Sequence, residues 1–281
     1  MNRVVSVILP AHDEADWIGP CLEALCASEP LPEGWRAEVI VLPNGCRDRT
    51  AALARARRAD FAARGWRLEV IEMPQGSKLG ALNRGDAAAS GAIRVYLDAD
   101  VTLSPPLLAQ IVRALATEAP RYASGTPQVS PARSAVTRAY GRFWTRLPFV
   151  TTGAPGFGVF AMNAAGRARW GAWPDIISDD TFARLNFAPG ERLRLPASYR
   201  WPLVEGFVNL VRVRRRQNDG VAEIAQHFPA LLDNADAARP RPAQLLRLAL
   251  RDPSGFLAYG AVALAVKSPL FRNRSRWARG R

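Results

Sequence analysis

Short apolar runs alternate with helix-forming segments through the first hundred residues, and no other feature constrains the fold of this chain as much. Four runs have the length and composition of buried strands: residues 4–9, 39–42, 68–71 and 93–97. Ile18, Cys21 and Leu22 begin a one-face apolar pattern, and residues 50–63 are rich in Ala and Arg, as expected of helices. Strands that alternate with helices form a parallel sheet with helices on its faces. We therefore predict an α/β fold with a single open, twisted, mostly parallel, Rossmann-like sheet.

The composition is that of a globular protein. Of the 281 residues, 48% are hydrophobic and 22% are charged, which suffices to bury a core without disulfides. The cysteines are odd in number and lack metal-ligand spacing, so we predict neither a disulfide framework nor a zinc site and expect a reducing compartment. Residues 4–9 are too short for the apolar region of a signal peptide, so no secretion signal is expected. Residues 120–175, rich in Gly, Pro and aromatic residues, fit no clear pattern.

Polar segments follow three of the predicted strands, at residues 10–14, 43–48 and 98–100. Ligands bind beyond the carboxyl ends of parallel strands, so these segments are expected along one rim. Asp98 and Asp100 can approach one divalent cation, and carboxylate oxygens suit Mg²⁺ or Mn²⁺ that bridges phosphates. The alternative is a solvated turn with a helix-capping Asp. Because three strand–helix units precede this pair, we favour metal binding.

A second acidic pair, Asp179 and Asp180, precedes a helix-forming segment, and helix capping is its simplest explanation. Adjacent carboxylates also repel, which raises the pKa of one and makes it a better general base toward a hydroxyl. Four arginines follow later in the chain, at 212, 214, 215 and 216. They form either a solvated face or an anion-binding cluster, since guanidinium groups bind phosphate in bidentate fashion.

Four segments, in order, resemble the inverting glycosyltransferases of family 2, which have the GT-A fold: residues 6–14, 39–50, 77–83 and 97–100. The resemblance covers roughly residues 4–225. It implies that the first two segments hold the nucleoside of a nucleotide-sugar donor and that residues 98–100 bind a metal diphosphate. The implied donor-binding residues are Pro10, Ala11, Glu14, Asn44, Lys78, Asp98 and Arg216.

The resemblance also implies the remaining roles. Asp180 matches the catalytic base, and Arg216 matches the first residue of a diphosphate-contacting Arg-Trp-x-x-Gly element. The metal ligands are Asp98 and Asp100, for Mn²⁺ or Mg²⁺. His227 is an additional candidate ligand, although a lone His beside an aromatic residue is more often structural. Gly156, Phe157 and Asp179 are candidates for the acceptor pocket.

Two positions depart from the family pattern. Pro43 stands where members commonly carry an Asp that contacts the base, so the base is not fixed, and we favour a UDP-sugar. Gln217 stands where a Trp usually follows the arginine, which favours a non-processive enzyme. The expected reaction is single displacement onto a hydroxyl of a glycan or lipid-linked acceptor, as in polysaccharide biosynthesis. The alternatives are a nucleotidyltransferase of related fold and a non-catalytic basic module.

The positive charge is concentrated near the C-terminus. The net charge is +13, and residues 239–281 hold ten Lys and Arg against one acid, Asp252. We predict a catalytic domain over 1–230, with a nucleotide half to about 103 and an acceptor half from 104, and a basic helical extension over 231–281. Within that extension, residues 255–266 form an uncharged run, too short for the roughly 20 residues that span a bilayer.

That apolar run suits a helix lying at an anionic membrane surface, and packing on the catalytic domain explains it equally well. Only one aromatic residue, Trp277, interleaves with the arginines of the tail, so no nucleic acid partner is expected. We expect a cytoplasmic protein, peripheral at the inner face of the membrane.

Overall fold

The computed structural model describes residues 2–236 and 240–269. Its strands are β1 (Val4–Ala11), β2 (Arg36–Pro43), β3 (Arg67–Val70), β4 (Ile93–Leu97), β5 (Thr102–Leu103), β6 (Tyr122–Val129), β7 (Val159–Asn163) and β8 (Arg192–Trp201). Its helices are α1 (Ala15–Cys26), α2 (Thr50–Ala56), α3 (Arg58–Ala63), α4 (Lys78–Ala88), α5 (Leu107–Leu115), α6 (Ala135–Trp144), α7 (Pro148–Thr151), α8 (Ala164–Arg167), α9 (Asp179–Leu185), α10 (Phe207–His227), α11 (Pro242–Arg251) and α12 (Pro253–Lys267).

The strands form one sheet in the order β3-β2-β1-β4-β7-β6-β8-β5. β3, β2, β1 and β4 are parallel neighbours, as the alternation of strands and helices predicts. β7 enters antiparallel between β4 and β6, while β6 and β8 are parallel and β5 pairs antiparallel with β8. The predicted α/β fold is confirmed, and the carboxyl ends of β1, β2 and β4 lie along one rim of the sheet.

Apolar side chains cover both faces of the sheet. In β1, Val5 and Val7 belong to the core layer that includes α1 and α5, whereas Ile8 belongs to the opposite layer with α4. Gly85 of α4 lies directly against Ile8. A Cβ added at Gly85 would be 2.4 Å from Ile8 Cγ2, so no larger residue fits there without a shift. This close approach fixes α4, and with it the segment at its N-terminus, against the sheet.

The structure differs from the sequence prediction in two places. The helix expected over residues 50–63 is divided into α2 and α3 at Arg57. Residues 120–175 contain β6, β7 and three helices. Every residue of β7 is buried. Its place between β4 and β6, which are distant from it in the sequence, is set by long-range pairing and not by a local pattern.

The C-terminal extension is helical in its described part, and α12 packs on α6 and α10. The rings of Tyr140 and Tyr259 stack with centroids 5.5 Å apart, and Phe143 meets Phe256 edge-on at 5.7 Å. Val262 is buried in the same cluster. Within the described ranges, the structure has no helix long and apolar enough to span a membrane. The basic residues from 270 onward lie outside the described residues.

Candidate active site

Asp98 and Asp100 follow β4 at the rim where the parallel strands end. The Asp98 amide donates to the Gly158 carbonyl at 2.8 Å, which ties the end of β4 to the start of β7. Gly158 has φ +69°, and a Cβ there would lie 2.6 Å from Val101 Cγ2, so the contact requires glycine. Two adjoining cavities, the larger of about 430 Å³ and the smaller of about 290 Å³, are both lined by Asp98 and Asp100. The predicted metal ligands therefore face the space where a ligand would bind.

Lys78, the first residue of α4, places its ammonium group between two carboxylates. Its Nζ lies 2.9 Å from Asp98 Oδ1 and 3.1 Å from Asp179 Oδ2. The Ser77 hydroxyl caps the helix by accepting the Gly80 amide at 3.0 Å. Burial alone would lower the pKa of Lys78, but the carboxylates of Asp179 and Asp98 raise it above its ordinary value. Lys78 stays charged, and its position shows that the carboxylates attract a cation.

The two carboxylates that begin α9 have different surroundings. Asp179 is buried, pairs with Lys78 and lines both cavities, whereas Asp180 lines the larger cavity only. Burial raises the pKa of Asp179. Burial and the adjacent Asp179 carboxylate raise the pKa of Asp180 to about 6, although its Oδ1 accepts the Thr181 amide at 2.7 Å. A carboxylate with a pKa near neutrality can accept a proton from a hydroxyl group.

Three successive arginines of α10 do not form one cluster, because successive helix residues point about 100° apart: Arg214, Arg215 and Arg216. Arg216 lines both cavities. Arg215 instead donates to carbonyls at the end of α12, including that of Ser268 at 2.8 Å. The Arg214 guanidinium lies 6.0 Å from the centroid of the Tyr259 ring, also on α12. The structure thus places Arg216 at the cavities and directs Arg214 and Arg215 elsewhere, and anion binding by Arg216 stays a prediction.

Asn44 holds the loops of the rim together. Its side-chain nitrogen donates to the carbonyls of Ala11 at 2.9 Å and Leu42 at 3.2 Å, and its Oδ1 accepts the Ser77 amide at 3.0 Å. The residue lines the smaller cavity but is nearly inaccessible, so we assign it a positioning role. The other predicted donor-binding residues of this rim also line the smaller cavity: Pro10, Ala11 and Glu14.

Two predicted site residues lie away from the cavities. His227 is exposed at the end of α10, eleven residues beyond Arg216, which is about 16 Å along the helix. It lines neither cavity, and metal binding by His227 stays a prediction. Gly156 packs against Tyr122, whose Oη would lie 1.9 Å from an added Cβ. Phe157 does line the larger cavity.

An aromatic platform that the sequence analysis did not identify lines the larger cavity beside Phe157. Trp201, the last residue of β8, stacks on Phe157 with ring centroids 5.7 Å apart and planes inclined by 20°. Trp144 supports both rings from α6, at 5.3 and 5.6 Å. The sequence signal was a Trp at the end of a strand, but only the pairing of β8 with β6 places it at the cavity.

A further group of acidic and thiol side chains joins the loops after β1 and β2. Potential ligand atoms of Asp13, Cys46 and Asp48 lie within 4.8 Å of one another, so they could also meet one cation. Asp13 Oδ1 accepts the Arg47 amide at 2.6 Å, and Asp48 Oδ1 accepts the Thr50 amide at 2.9 Å. Burial raises the pKa of the Cys46 thiol, which disfavours the metal-binding thiolate. Loop bracing therefore explains this group better than metal binding.

The family follows from the match of the chain to the glycosyl transferase family 2 profile over residues 6–168, more than half of its length. The chain belongs to this family. A curated relative, the glucosyl-3-phosphoglycerate synthase of Mycolicibacterium paratuberculosis, is 37% identical over 106 residues. That match covers 38% of this chain and 31% of the relative, so the chain spans about a third of the relative's length.

Solved structures resemble this family 2 glycosyltransferase over nearly its whole length. The mannosyltransferase PcManGT of Pyrobaculum calidifontis, solved with GDP-Man and Mn²⁺, matches 95% of this chain and 76% of its own, with a TM-score of 0.57 and 20% identity. TarS 1-349 of S. aureus in complex with UDP matches 94% of this chain and 91% of its own, with a TM-score of 0.53 and 12% identity. At these identities the likeness concerns the fold, and it confirms the predicted GT-A architecture.

Proposed function

We propose that this protein is a metal-dependent, inverting, non-processive glycosyltransferase. It moves a sugar from a nucleotide-sugar, with a UDP-sugar favoured, to a hydroxyl of a glycan or lipid-linked acceptor, as in polysaccharide biosynthesis. One observation carries the proposal: the larger cavity is lined by Asp98, Asp100 and Arg216 and also by Asp180. We further propose that residues 1–230 form the catalytic domain, with a nucleotide half to about 103 and an acceptor half from 104.

The residues present fit a hard divalent cation. Asp98 and Asp100 offer carboxylate oxygens, the donors that Mg²⁺ and Mn²⁺ prefer, at the mouth of both cavities. The ammonium of Lys78 already lies against Asp98, so positive charge is favoured there. When bound, the cation neutralises charge on the diphosphate leaving group. Mn²⁺ is also the ion present in the structure of PcManGT.

The protein's own side chains then divide the reaction between them. Asp180 accepts the proton of the acceptor hydroxyl while that oxygen forms a bond to the anomeric carbon. The bond between the anomeric carbon and the diphosphate oxygen breaks, and its electron pair leaves with the nucleoside diphosphate. Attack from the face opposite the leaving group inverts the anomeric centre. Arg216 and Lys78 provide fixed positive charge on the leaving-group side.

Experiment must identify the base of the nucleotide-sugar donor. Pro43 has no carboxylate to offer a base, and the structures that share the fold were solved with both GDP-Man and UDP. A UDP-sugar remains the favoured donor, and GDP-Man is the comparison that any donor screen requires.

We place the protein in the cytoplasm, peripheral at the inner face of the membrane. α12 packs on the catalytic domain through one side only, and the outer side of α11 and α12 exposes four leucines: Leu246, Leu250, Leu257 and Leu264. Arg247 and Arg251 are exposed on the same helix as the first two. Apolar side chains flanked by basic ones match an anionic lipid surface.

Calorimetric titration of UDP and GDP, with and without Mn²⁺, tests the metal and donor assignments together. Asp100→Ala is expected to abolish Mn²⁺-dependent binding and to leave the fold intact, because a rim carboxylate contributes little to the core. Asp60→Ala removes an exposed carboxylate of α3 outside both cavities and serves as the control. Unchanged nucleotide affinity of Asp100→Ala in Mn²⁺ would overturn the metal role.

A further inference from the structure

The larger cavity has a part that the smaller cavity does not share, and the charged side chains of this part all have the same sign. It contains Asp180 and the ring pair of Trp201 and Phe157, and we call it the acceptor side. Its charged side chains are all acidic: Asp180 begins α9, while Asp13, Asp16 and Asp48 lie in the loops after β1 and β2 and at the start of α1, toward the expected nucleoside. Among the described residues, no Lys or Arg lines it. The two basic residues of the larger cavity, Lys78 and Arg216, belong to the part shared with the smaller cavity.

We infer that the acceptor group entering this cavity is an uncharged sugar ring, stacked on Trp201 with one hydroxyl directed to Asp180, and that the cavity excludes phosphorylated or carboxylated acceptors. This inference rests on the proposed function and specifies its acceptor. The product named for the curated relative contains a phosphoglycerate group, so the two proteins would differ in acceptor class.

The aromatic platform supplies the attractive half of this selectivity. The indole of Trp201 is partly exposed and is backed on its other contacts by Phe157 and Trp144, which hold its orientation. A flat, rigid ring buries the apolar C–H face of a pyranose at little cost in side-chain entropy. Val204 and Pro202 extend the same wall. A sugar held there leaves its hydroxyl edge free to face the carboxylates.

The carboxylates supply the repulsive half. An anionic acceptor would lose its hydration on entering and find acidic groups in place of cationic partners. Asp179 and Asp180 lie side by side at the start of α9, and both line this cavity. Lys78 and Arg216 lie in the part shared by both cavities, on the side where we place the leaving group.

Matched acceptor pairs test the inference with the full-length protein, Mn²⁺, and UDP-glucose, UDP-GlcNAc or GDP-Man. The pairs are methyl glucoside and its 6-phosphate, and methyl mannoside and its 6-phosphate, with 3-phosphoglycerate as a separate anionic acceptor. Nucleoside diphosphate release and product mass are measured. We expect kcat/KM for the neutral sugars to exceed that of their phosphates by about tenfold or more, the factor given by 1.4 kcal/mol. Equal or preferred use of the phosphorylated members overturns the inference.

Variants distinguish the contribution of the aromatic platform from the contribution of the negative charge on the acceptor side. Trp201→Ala is expected to raise KM for the neutral sugar roughly tenfold, whereas the affinity for UDP with Mn²⁺ is retained and Trp201→Phe restores most of the loss. Gln217→Lys, which puts a cation on the acceptor side, should narrow the preference for neutral sugars. Trp66→Phe alters a Trp outside both cavities and controls for general loss of stability.

The outcomes distinguish this inference from the proposed function. Absence of Mn²⁺-dependent nucleotide binding and of donor hydrolysis with every donor would refute the proposed function itself. If the donor is hydrolysed but Trp201→Ala leaves KM for the neutral sugars unchanged, or if no neutral sugar is glycosylated, the acceptor inference alone fails.

Discussion

Asp180 has a perturbed carboxyl group because it is removed from water and adjoins a second carboxylate. These two effects raise its pKa to about 6. A base must be ionised, so transfer should rise with pH through about 6 and level off above it. Asp180→Asn should retain nucleotide binding and lose about two or more orders of magnitude in kcat, while Asp179→Asn is milder. The measurement is the pH profile of kcat at saturating donor. A flat profile from about pH 5 to 8 contradicts the assignment.

The same raised pKa has a consequence for stability. The pKa of Asp180 in the folded protein lies above the ordinary value of 3.8 for an aspartate. Such a group lowers the stability of the folded protein as the pH rises from 3.8 to about 6. Asp180→Asn removes this charge, so we expect its melting temperature to exceed that of the wild type at neutral pH and to approach it near pH 4. Scanning calorimetry at the two pH values measures the difference. A wild type that is the more stable protein at neutral pH would contradict the prediction.

Gly156 and Tyr122 form a tightly packed pair behind the cavity. Gly156 has φ +77°, and an added Cβ would meet the Tyr122 hydroxyl at 1.9 Å. That hydroxyl is buried and has no hydrogen-bond partner among the described residues, so Tyr122→Phe should cost little or raise stability. Gly156→Ala should cost roughly 2 kcal/mol or more through strain and overlap, and Tyr122→Phe should recover part of that loss. Urea denaturation of the two single variants and the double variant measures the coupling, and strict additivity would show that the two side chains do not clash.

At the scale of elements, the N-terminus of α12 is held by one buried carboxylate. Asp252 Oδ1 accepts the Gly255 amide at 2.9 Å, and Asp252 pairs with Arg142 at 3.4 Å and Arg146 at 3.5 Å on or beside α6. Burial alone would raise the pKa of Asp252, but the Gly255 amide and Arg142 hold it below its usual value. The ionised Asp252 carboxylate therefore stabilises the folded protein above about pH 4, and this stabilisation is lost as the pH falls through the lowered pKa.

Variants of Asp252 separate the cap from the ion pairs. Asp252→Ala should cost about 1 to 2 kcal/mol near neutral pH, because both are lost. Asp252→Asn keeps the cap and should cost less, since partly exposed ion pairs contribute little. Thermal unfolding at neutral pH measures both. Equal losses in the two variants would assign the effect to the ion pairs.

Elements with local patterns were predictable and those made by distant pairing were not. The first four strands of the chain follow from apolar runs. β5 has two residues and exists through its pairing with β8, for which the sequence carries no local signal. The orientation of α10 likewise depends on α12, which is why Arg215 and Arg216 could not be assigned to different partners from their spacing.

At the scale of the whole molecule, one sheet rim gathers residues from distant parts of the chain. Rim positions after parallel strands could be predicted, since topology alone brings Asn44, Lys78 and Asp98 together. The acceptor side could not, because Phe157 precedes β7 and Trp201 ends β8, and long-range pairing sets the places of both strands in the sheet. The position of His227 could not be predicted either, because it depends on the length of α10, at whose last residue it lies.

The charge and apolar surface of the whole molecule lead to the membrane prediction. Leu246, Leu250, Leu257 and Leu264 are 62%, 74%, 68% and 72% exposed on α11 and α12. Each nearby basic residue adds about 1 kcal/mol at an anionic surface, so several together should hold the protein there.

We expect co-sedimentation with anionic vesicles that weakens with salt, is poor with neutral vesicles, and is reduced when the four leucines are changed to Gln. Val221→Gln with Leu232→Gln, exposed apolar residues outside these helices, is the matched control. Equal, salt-insensitive sedimentation of all three proteins contradicts docking through this face, whereas unfolding of the four-residue variant, detected by circular dichroism, would show that the leucines stabilise the fold instead.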